Sequence, residues 1–285
     1  MNRTVEQFLS LLPLEGYHPA ALDGITLMRA DTSTGRVPVL QEPTVVIMGQ
    51  GMKRGFLGEE EVCYRPGQCL VVSVPMHFEC DTVVETAGPM LAMAVRIDIA
   101  LVNELMAKME SGGTGAAAAP PELGMLVADV GNAMQDTIRR LLDALASPDD
   151  ARVLGPQLVR ELLYRLLQSP GGAGLRNLAA WHGRWGQVYH ACENLRINYA
   201  REHDVATLAR EAAMSLSAFH HAFRAVTGHS PMQYLKRTRL HKARELIMTG
   251  TAVSQAAYLV GYASTSQFSR DFKRLFGHPP AELAD

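Results

Sequence analysis

Apolar residues follow two rhythms along this chain, and the change of rhythm divides it. Between positions 25 and 97 they come in short alternating or β-branched runs: 25–30 (ITLMRA), 44–49 (TVVIMG), 61–64, 69–74, 76–84 and 90–97. The turns Gly49-Gln50-Gly51, Leu57-Gly58-Glu59 and Arg65-Pro66-Gly67-Gln68 fall between them. Such runs, bounded by Gly and Pro, predict β-strands. No helical pattern fills the gaps, so no crossover links them and the strands are expected to pair antiparallel. Many short strands of even spacing predict a small barrel or sandwich.

Beyond Ile97 the period becomes helical. Ile99, Leu101, Val102, Leu105 and Met109 predict one helix, ending before the run 111–121 (SGGTGAAAAPP). Two longer helices are predicted at 122–146 and 152–168. Leu126, Val130, Met134, Ile138, Leu141, Leu142 and Leu145 make the stripe of the first, and Leu158, Leu162, Leu163, Leu166 and Leu167 that of the second. These stripes either cover the sheet or meet a second copy of the chain; we favour a homodimer. The stretch 169–174 (SPGGAG) reads as a boundary loop.

The last hundred residues are helical throughout, with segments at 184–202, 205–212, 217–227, 231–248, 253–260 and 264–276. Asp204, Ser215, Ser217 and Ser230 stand where N-caps belong, and Pro231 follows Ser230, where its missing N–H costs nothing. Two stretches share one plan: 205–228 (VATLAREAAMSLSAFHHAFRAVTG) and 253–277 (VSQAAYLVGYASTSQFSRDFKRLFG). Leu208 matches Ala256, Ala209 matches Ala257, Phe219 matches Phe268, Phe223 matches Phe272 and Gly228 matches Gly277. Each reads as a short helix, a tight turn and a second helix, so the pair is a duplicated helix-turn-helix. On the second helices Ser217, His220, His221 and Arg224, then Thr265, Ser266, Ser269, Arg270 and Lys273, fall on one exposed face and are the DNA-contact candidates.

At this point a resemblance becomes specific. The segments Thr227-Gly228-His-Ser-Pro-Met-Gln-Tyr234, Arg239-Leu240, Ala243-Arg244 and Gly261-Tyr-Ala-Ser-Thr-Ser-Gln-Phe268, continuing to Pro280, resemble the AraC/XylS family of bacterial transcription regulators. The first 170 residues resemble the cupin-like sensor of one branch of that family, through Gln41-Glu-Pro43, Gly49-Gln-Gly51, Lys53, Tyr64-Arg-Pro-Gly67 and Glu161-Leu-Leu-Tyr164. The resemblance implies base-reading slots at Ser217, His220, His221, Thr265, Ser266, Ser269 and Arg270. It also makes the helix 231–248 a spacer between two reading units. Eighteen residues rise about 27 Å, which suits adjacent major grooves roughly 34 Å apart. Arg270 can bond guanine bidentately, whereas Arg237 on the spacer would meet phosphate. One residue departs from the pattern: Ala213 stands where the family commonly has glycine in the first turn.

Charge supports this division. From Arg176 onward the chain has 14 Lys+Arg against 8 Asp+Glu, a balance of +6, while the whole chain is −2. An acidic first part joined to a basic second part suggests a polyanion-binding module. The expected fold class is therefore α+β: a small antiparallel cupin-like β-barrel with flanking helices, then an all-α part with two helix-turn-helix units. The division is 1–170 for effector binding and dimerisation, 171–183 as linker and 184–285 for DNA binding. The implied activity is transcription regulation, more often activation, in the cytoplasm, with promoter DNA, RNA polymerase and an unidentified small-molecule effector as partners. No membrane association is expected.

No cofactor or catalytic role is expected. A metal-dependent cupin needs a cluster of histidines, and the barrel region supplies only His77 and Glu79, with His18 far upstream. Effector contacts are expected among Arg29, Met48, Tyr64, His77 and Glu79, subject to strand register, because a one-residue slip reverses every side chain. Two competing readings remain: a cupin enzyme fused to a DNA-binding tail, and a regulator that senses electrophiles through Cys63, Cys69 or Cys80.

Overall fold

The computed structural model describes residues 3–86, 88–110, 123–179 and 184–283. The chain opens with helix α1 (Arg3–Leu11) and then forms strands β1 (Gly16–Pro19), β2 (Ile25–Ala30), β3 (Thr34–Gln41), β4 (Thr44–Gln50), β5 (Met52–Leu57), β6 (Glu60–Tyr64), β7 (Gln68–Val72), β8 (Met76–Val83) and β9 (Met90–Arg96). Next come α2 (Ile99–Glu110), β10 (Met125–Asp129), α3 (Asn132–Leu145), α4 (Pro148–Val153), α5 (Gly155–Gln168) and α6 (Ala173–Ala179). The rest is α7 (Arg184–Ile197), α8 (Val205–Glu211), α9 (Leu216–Thr227), α10 (Pro231–Met248), α11 (Val253–Leu259) and α12 (Thr265–Phe276).

Two antiparallel sheets face each other. One runs β1-β2-β9-β4-β7-β10 and the other β3-β8-β5-β6. Strand alternation sends Met28, Val46, Met48, Leu70 and Ala92 into the space between the sheets, opposite Met76, Phe78 and Cys80. The alternate set, Leu27, Val45, Ile47, Leu91, Met93 and Val95, faces outward and is covered by α1, α2, α3 and α5. The leucine stripes of α3 and α5 belong to this cover, with Leu141, Leu162, Leu163 and Leu166 fully buried. Their apolar faces are used within the chain, which withdraws the argument that they meet a second copy.

Two sequence expectations change. The helix expected from 122 is a strand at Met125–Asp129 that pairs antiparallel with β7 and extends the larger sheet; the helix begins only at Asn132. Leu126 therefore lies on β10 and not on a helical stripe. The expected loop at 169–174 is a 3-10 turn running into α6. The Gly/Ala-rich run 111–121 lies outside the described residues.

The six C-terminal helices match the predicted segments to within a few residues. Asp204, Ser215, Ser230 and Ser264 cap α8, α9, α10 and α12, and Ser230 and Gln233 form a reciprocal capping box. The first helix-turn-helix, α8–α9, has no core of its own. Leu208, Phe219, Phe223 and Val226, with Trp185 and Val188 of α7, belong to one buried cluster with Val74, Met76 and Phe78 of the sensor. The second unit, α11–α12, has a separate core of Leu240, Ile247, Ala256, Ala257, Val260, Phe268 and Phe272.

Candidate nucleic-acid interface and effector cavity

The two recognition helices are built alike. In α9, Phe219, Ala222, Phe223 and Val226 are buried, so Ser217, His220, His221 and Arg224 are left on the exposed side. In α12, Phe268, Asp271 and Phe272 are buried, leaving Thr265, Ser266, Arg270 and Lys273 exposed and Ser269 half-exposed. Each helix ends on a left-handed glycine, Gly228 at φ 74° and Gly277 at φ 84°. The first turn holds Ala213 at φ 51°, the only non-glycine at positive φ among the described residues, where the second has Gly261 at φ 88°.

Between these helices runs α10, 18 residues long as expected. Its interactions were not legible in the motif. Arg239 donates to the carbonyls of Tyr199 (2.8 Å), Arg201 (2.8 Å) and Gly261 (3.2 Å), joining the segment after α7 to the turn of the second unit. Lys236 pairs with buried Asp271 of α12 at 2.6 Å. Arg237, expected at phosphate, is instead half-buried and faces Glu79 of the sensor.

The sensor is joined to α9 and α10 by a polar seam. The Tyr234 hydroxyl donates to the Pro75 carbonyl (3.1 Å), and Gly124 N–H donates to the Val226 carbonyl (2.8 Å). His77 Nε2 meets Thr238 Oγ1 at 2.9 Å, His229 Nε2 meets the His77 carbonyl at 3.2 Å, and Arg196 pairs with Glu42 at 3.2 Å. His77 also stacks on His241, with ring centroids 5.2 Å apart. Burial is the main cause that pushes these imidazoles down, to about 4 for His229 and about 3 for His241, and holds His77 well below the ordinary range.

A cavity of about 360 Å³ opens between the sheets and reaches α10. Met28, Val39, Val46, Leu70, Phe78 and Ala94 give it apolar walls; Tyr17, Thr26, Gln41, Lys53, Tyr64, His241 and Arg244 supply polar groups. Register decides which expected effector contacts reach it. Tyr64 lines it, and Met48 lies in the inter-sheet core without lining it. Arg29 does not reach it: beside inward Met28 it points outward, bonding the Leu12 carbonyl (2.9 Å), the Pro13 carbonyl (3.2 Å) and Asp31 (2.7 Å). His77 and Glu79 alternate with inward Phe78 and Cys80, so they face α10 and do not line the cavity.

Among the described residues, no three His, Cys, Asp or Glu side chains come together as a metal site. Burial pushes the Cys69 thiol up to about 12 and raises those of Cys80 and Cys192, which opposes the thiolate an electrophile sensor needs. Among the described residues, no helix is long and apolar enough to cross a membrane.

Residues 21–174 match the model of the AraC-type transcriptional regulator N-terminus, and residues 208–285 match a helix-turn-helix domain. The transcriptional activator RhaS of Yersinia pestis is 34% identical over 99 residues, which cover 34% of this chain and 36% of RhaS. The matched segment thus spans about a third of the length of these curated relatives. Among solved structures, apo ToxT from Vibrio cholerae superposes with TM-score 0.61 at 12% identity, covering 92% of this chain and 97% of that one. ToxT bound to an unsaturated fatty acid gives the same score and identity, covering 92% and 93%. These likenesses extend the shared fold across both halves. Because the N-terminal match alone takes in more than half of the 285 residues, the chain belongs to the family of AraC-type transcriptional regulators.

Proposed function

We propose that this chain is a sequence-specific activator of transcription, controlled by a small molecule bound in its N-terminal part. The observation that carries this is the pair of exposed recognition faces, on α9 and α12, held by one 18-residue helix that also walls the sensor cavity. Ser217, His220, His221 and Arg224 would enter one major groove; Thr265, Ser266, Ser269, Arg270 and Lys273 would enter the next. Activation is carried over from RhaS, and effector control from ToxT, which has been solved with bound organic acids. The working division is 1–170 sensor, 171–183 linker and 184–285 DNA reader, in a cytoplasmic protein. RNA polymerase and a second copy are the proposed protein partners. Exposed Tyr258 and Leu259 on α11, and Val153 and Leu154 at the end of α4, offer apolar surface for them. Membership in a regulator family speaks against the enzyme reading.

Sequencing the genomic DNA retained by the full chain, against random competitor at matched salt, tests the proposal. A recurrent motif of two short elements about one helical turn apart is expected. Arg270→Ala should flatten preference at one position, losing roughly 1–3 kcal/mol of discrimination there. Uniform retention of all fragments would overturn sequence-specific reading.

A further inference from the structure

We propose that Asp271 is the positioning residue of the second reading helix: paired with Lys236 of α10, it fixes the direction of α12 and so decides which bases Arg270 and Lys273 reach. The proposal rests on the DNA-reading function and adds a specificity determinant that does not itself touch DNA.

Between the two helix-turn-helix units, one inward position changes character. Phe219 and Phe223 match Phe268 and Phe272, so Ala222 of α9 matches Asp271 of α12. Ala222 is 1% exposed, and Asp271 occupies the same inward position at 6%. In the turns, Met214 matches Tyr262, and each donates its N–H to the equivalent carbonyl, Ala209 or Ala257. The second unit thus carries a carboxylate and a phenol where the first carries an alanine and a methionine.

The carboxylate is only partly satisfied. Lys236 Nζ meets Oδ1 at 2.6 Å, Arg274 stays 3.8 Å from the same oxygen, and Oδ2 is buried without a hydrogen bond. The Tyr262 hydroxyl is also buried without a partner, and burial and the Asp271 charge raise its pKa. Such an arrangement is a poor stabiliser, since an apolar side chain of similar size often serves stability as well or better. What it supplies is direction. The core of this unit is otherwise Leu240, Ile247, Phe268, Phe272 and their neighbours, whose contacts are non-directional. Helices packed through such contacts scatter by about 15–20° in crossing angle. A carboxylate and an ammonium meet in far fewer arrangements.

The two units need this device unequally. Helix α9 is already tied to the sensor, by the bond from Gly124 to the Val226 carbonyl and by Phe223 in the cluster with Val74 and Met76. Helix α12 sits in its own smaller core. Arg270 and Lys273 stand one residue before and two after Asp271, so a rotation that takes Asp271 off Lys236 carries both with it. On a helix about 10–12 Å across, 20° moves a surface atom by about 2 Å, enough to break a bidentate contact to a base.

The test selects sites for the full chain and its variants from a random-sequence duplex library, and follows thermal melting without DNA. Asp271→Leu is expected to melt no lower than wild type, yet to lose at least fivefold of base discrimination in the element read by α12 while keeping that of the element read by α9. Asp271→Asn, which keeps the shape and removes the charge, should lose discrimination in the same element. Lys236→Met should lose it too, and Lys236→Arg, which keeps a cation beside the carboxylate, should retain it. Wild-type preference in Asp271→Leu and Asp271→Asn, or equal loss in both elements, would overturn the proposal. So would a Lys236→Met variant that binds all sequences uniformly more weakly with preference intact, which is the mark of a phosphate contact. Orientation is read separately, from the distance between spin labels at exposed Met248 and Ser266 in a Cys63→Ser background, Cys63 being the one cysteine that is not buried. A narrow distribution is expected for wild type and a broader or displaced one for Asp271→Leu. If wild type selects no motif, DNA reading falls and the label distances alone decide the proposal, an unchanged distribution overturning it.

Discussion

Ala213 is the clearest single-residue tension in the chain. A left-handed conformation costs a residue with a Cβ about 1–2 kcal/mol, and glycine avoids that cost. Its counterpart in the second unit is a glycine, Gly261 at φ 88°, where an added Cβ would fall 2.7 Å from the Ala200 carbonyl. Ala213→Gly should therefore stabilise the first unit by about 1 kcal/mol and raise the melting temperature by a few degrees; an unchanged or lower midpoint would refute the strain. This tension was legible in the sequence because two copies of one motif could be compared position by position. The exposed faces of α9 and α12 were legible for the same reason, since buried Phe residues fix which side remains. Arg29 was not. Its assignment required knowing which way a strand residue points, and a run such as ITLMRA has apolar residues on both faces.

Elements with strong caps and one period were read correctly, and elements defined by their partners were not. The helices after Asp204, Ser215 and Ser230 begin where those side chains accept N–H bonds. Strand β10 has no such local signature. Met125, Leu126, Val127 and Ala128 suit a helix or a strand equally, and it is the free edge of β7 that selects the strand. Strand β3 was missed because Gly35, Arg36 and Pro38 break its run, none of its residues is buried, and its pairing with β8 is interrupted between Thr34 and Val37. Similarly, Arg239 is an ordinary charged helix residue in sequence and a three-way clamp in the structure. Arg239→Lys keeps the charge but cannot reach three carbonyls in fixed directions. It should cost about 2 kcal/mol and loosen the second unit, read as faster proteolysis of residues beyond α10. Wild-type resistance in that variant would show that the clamp is dispensable.

At the scale of the molecule, the seam between sensor and reader is a pH-dependent joint. His77 faces His241, Tyr234 and Thr238; His229 lies near Arg237 and Arg224; His241 lies near Arg244, Arg237 and Lys242; Glu79 is the nearby carboxylate, facing Arg237. All three imidazoles are held neutral below their ordinary value of 6.5. The separated state therefore binds more protons between that value and about 4. Docking is at full strength above about pH 6.5 and weakens as pH falls towards 4. Thermal melting between about pH 8 and about pH 4.5 should show the midpoint falling on the acid side, less steeply in His77→Gln. A wild-type profile that stays flat would contradict the burial of neutral rings.

The shared core of the sensor and the first helix-turn-helix also bears on how such proteins can be recombined. Gly228 ends α9 against the sensor, where an added Cβ would lie 2.6 Å from Leu57, and one on Gly124 would lie 2.9 Å from the Val226 carbonyl. A chimaera joined in the 171–183 segment would pair each half with a surface shaped for something else, exposing Phe223 and Tyr234 on one side and Val74 and Met76 on the other. The natural cut lies later, within α10 beyond Leu235 and before Leu240, where one buried cluster stops and the next begins. Heritable exchange of promoter preference should thus proceed through the second reading unit alone, with the first unit travelling alongside its sensor.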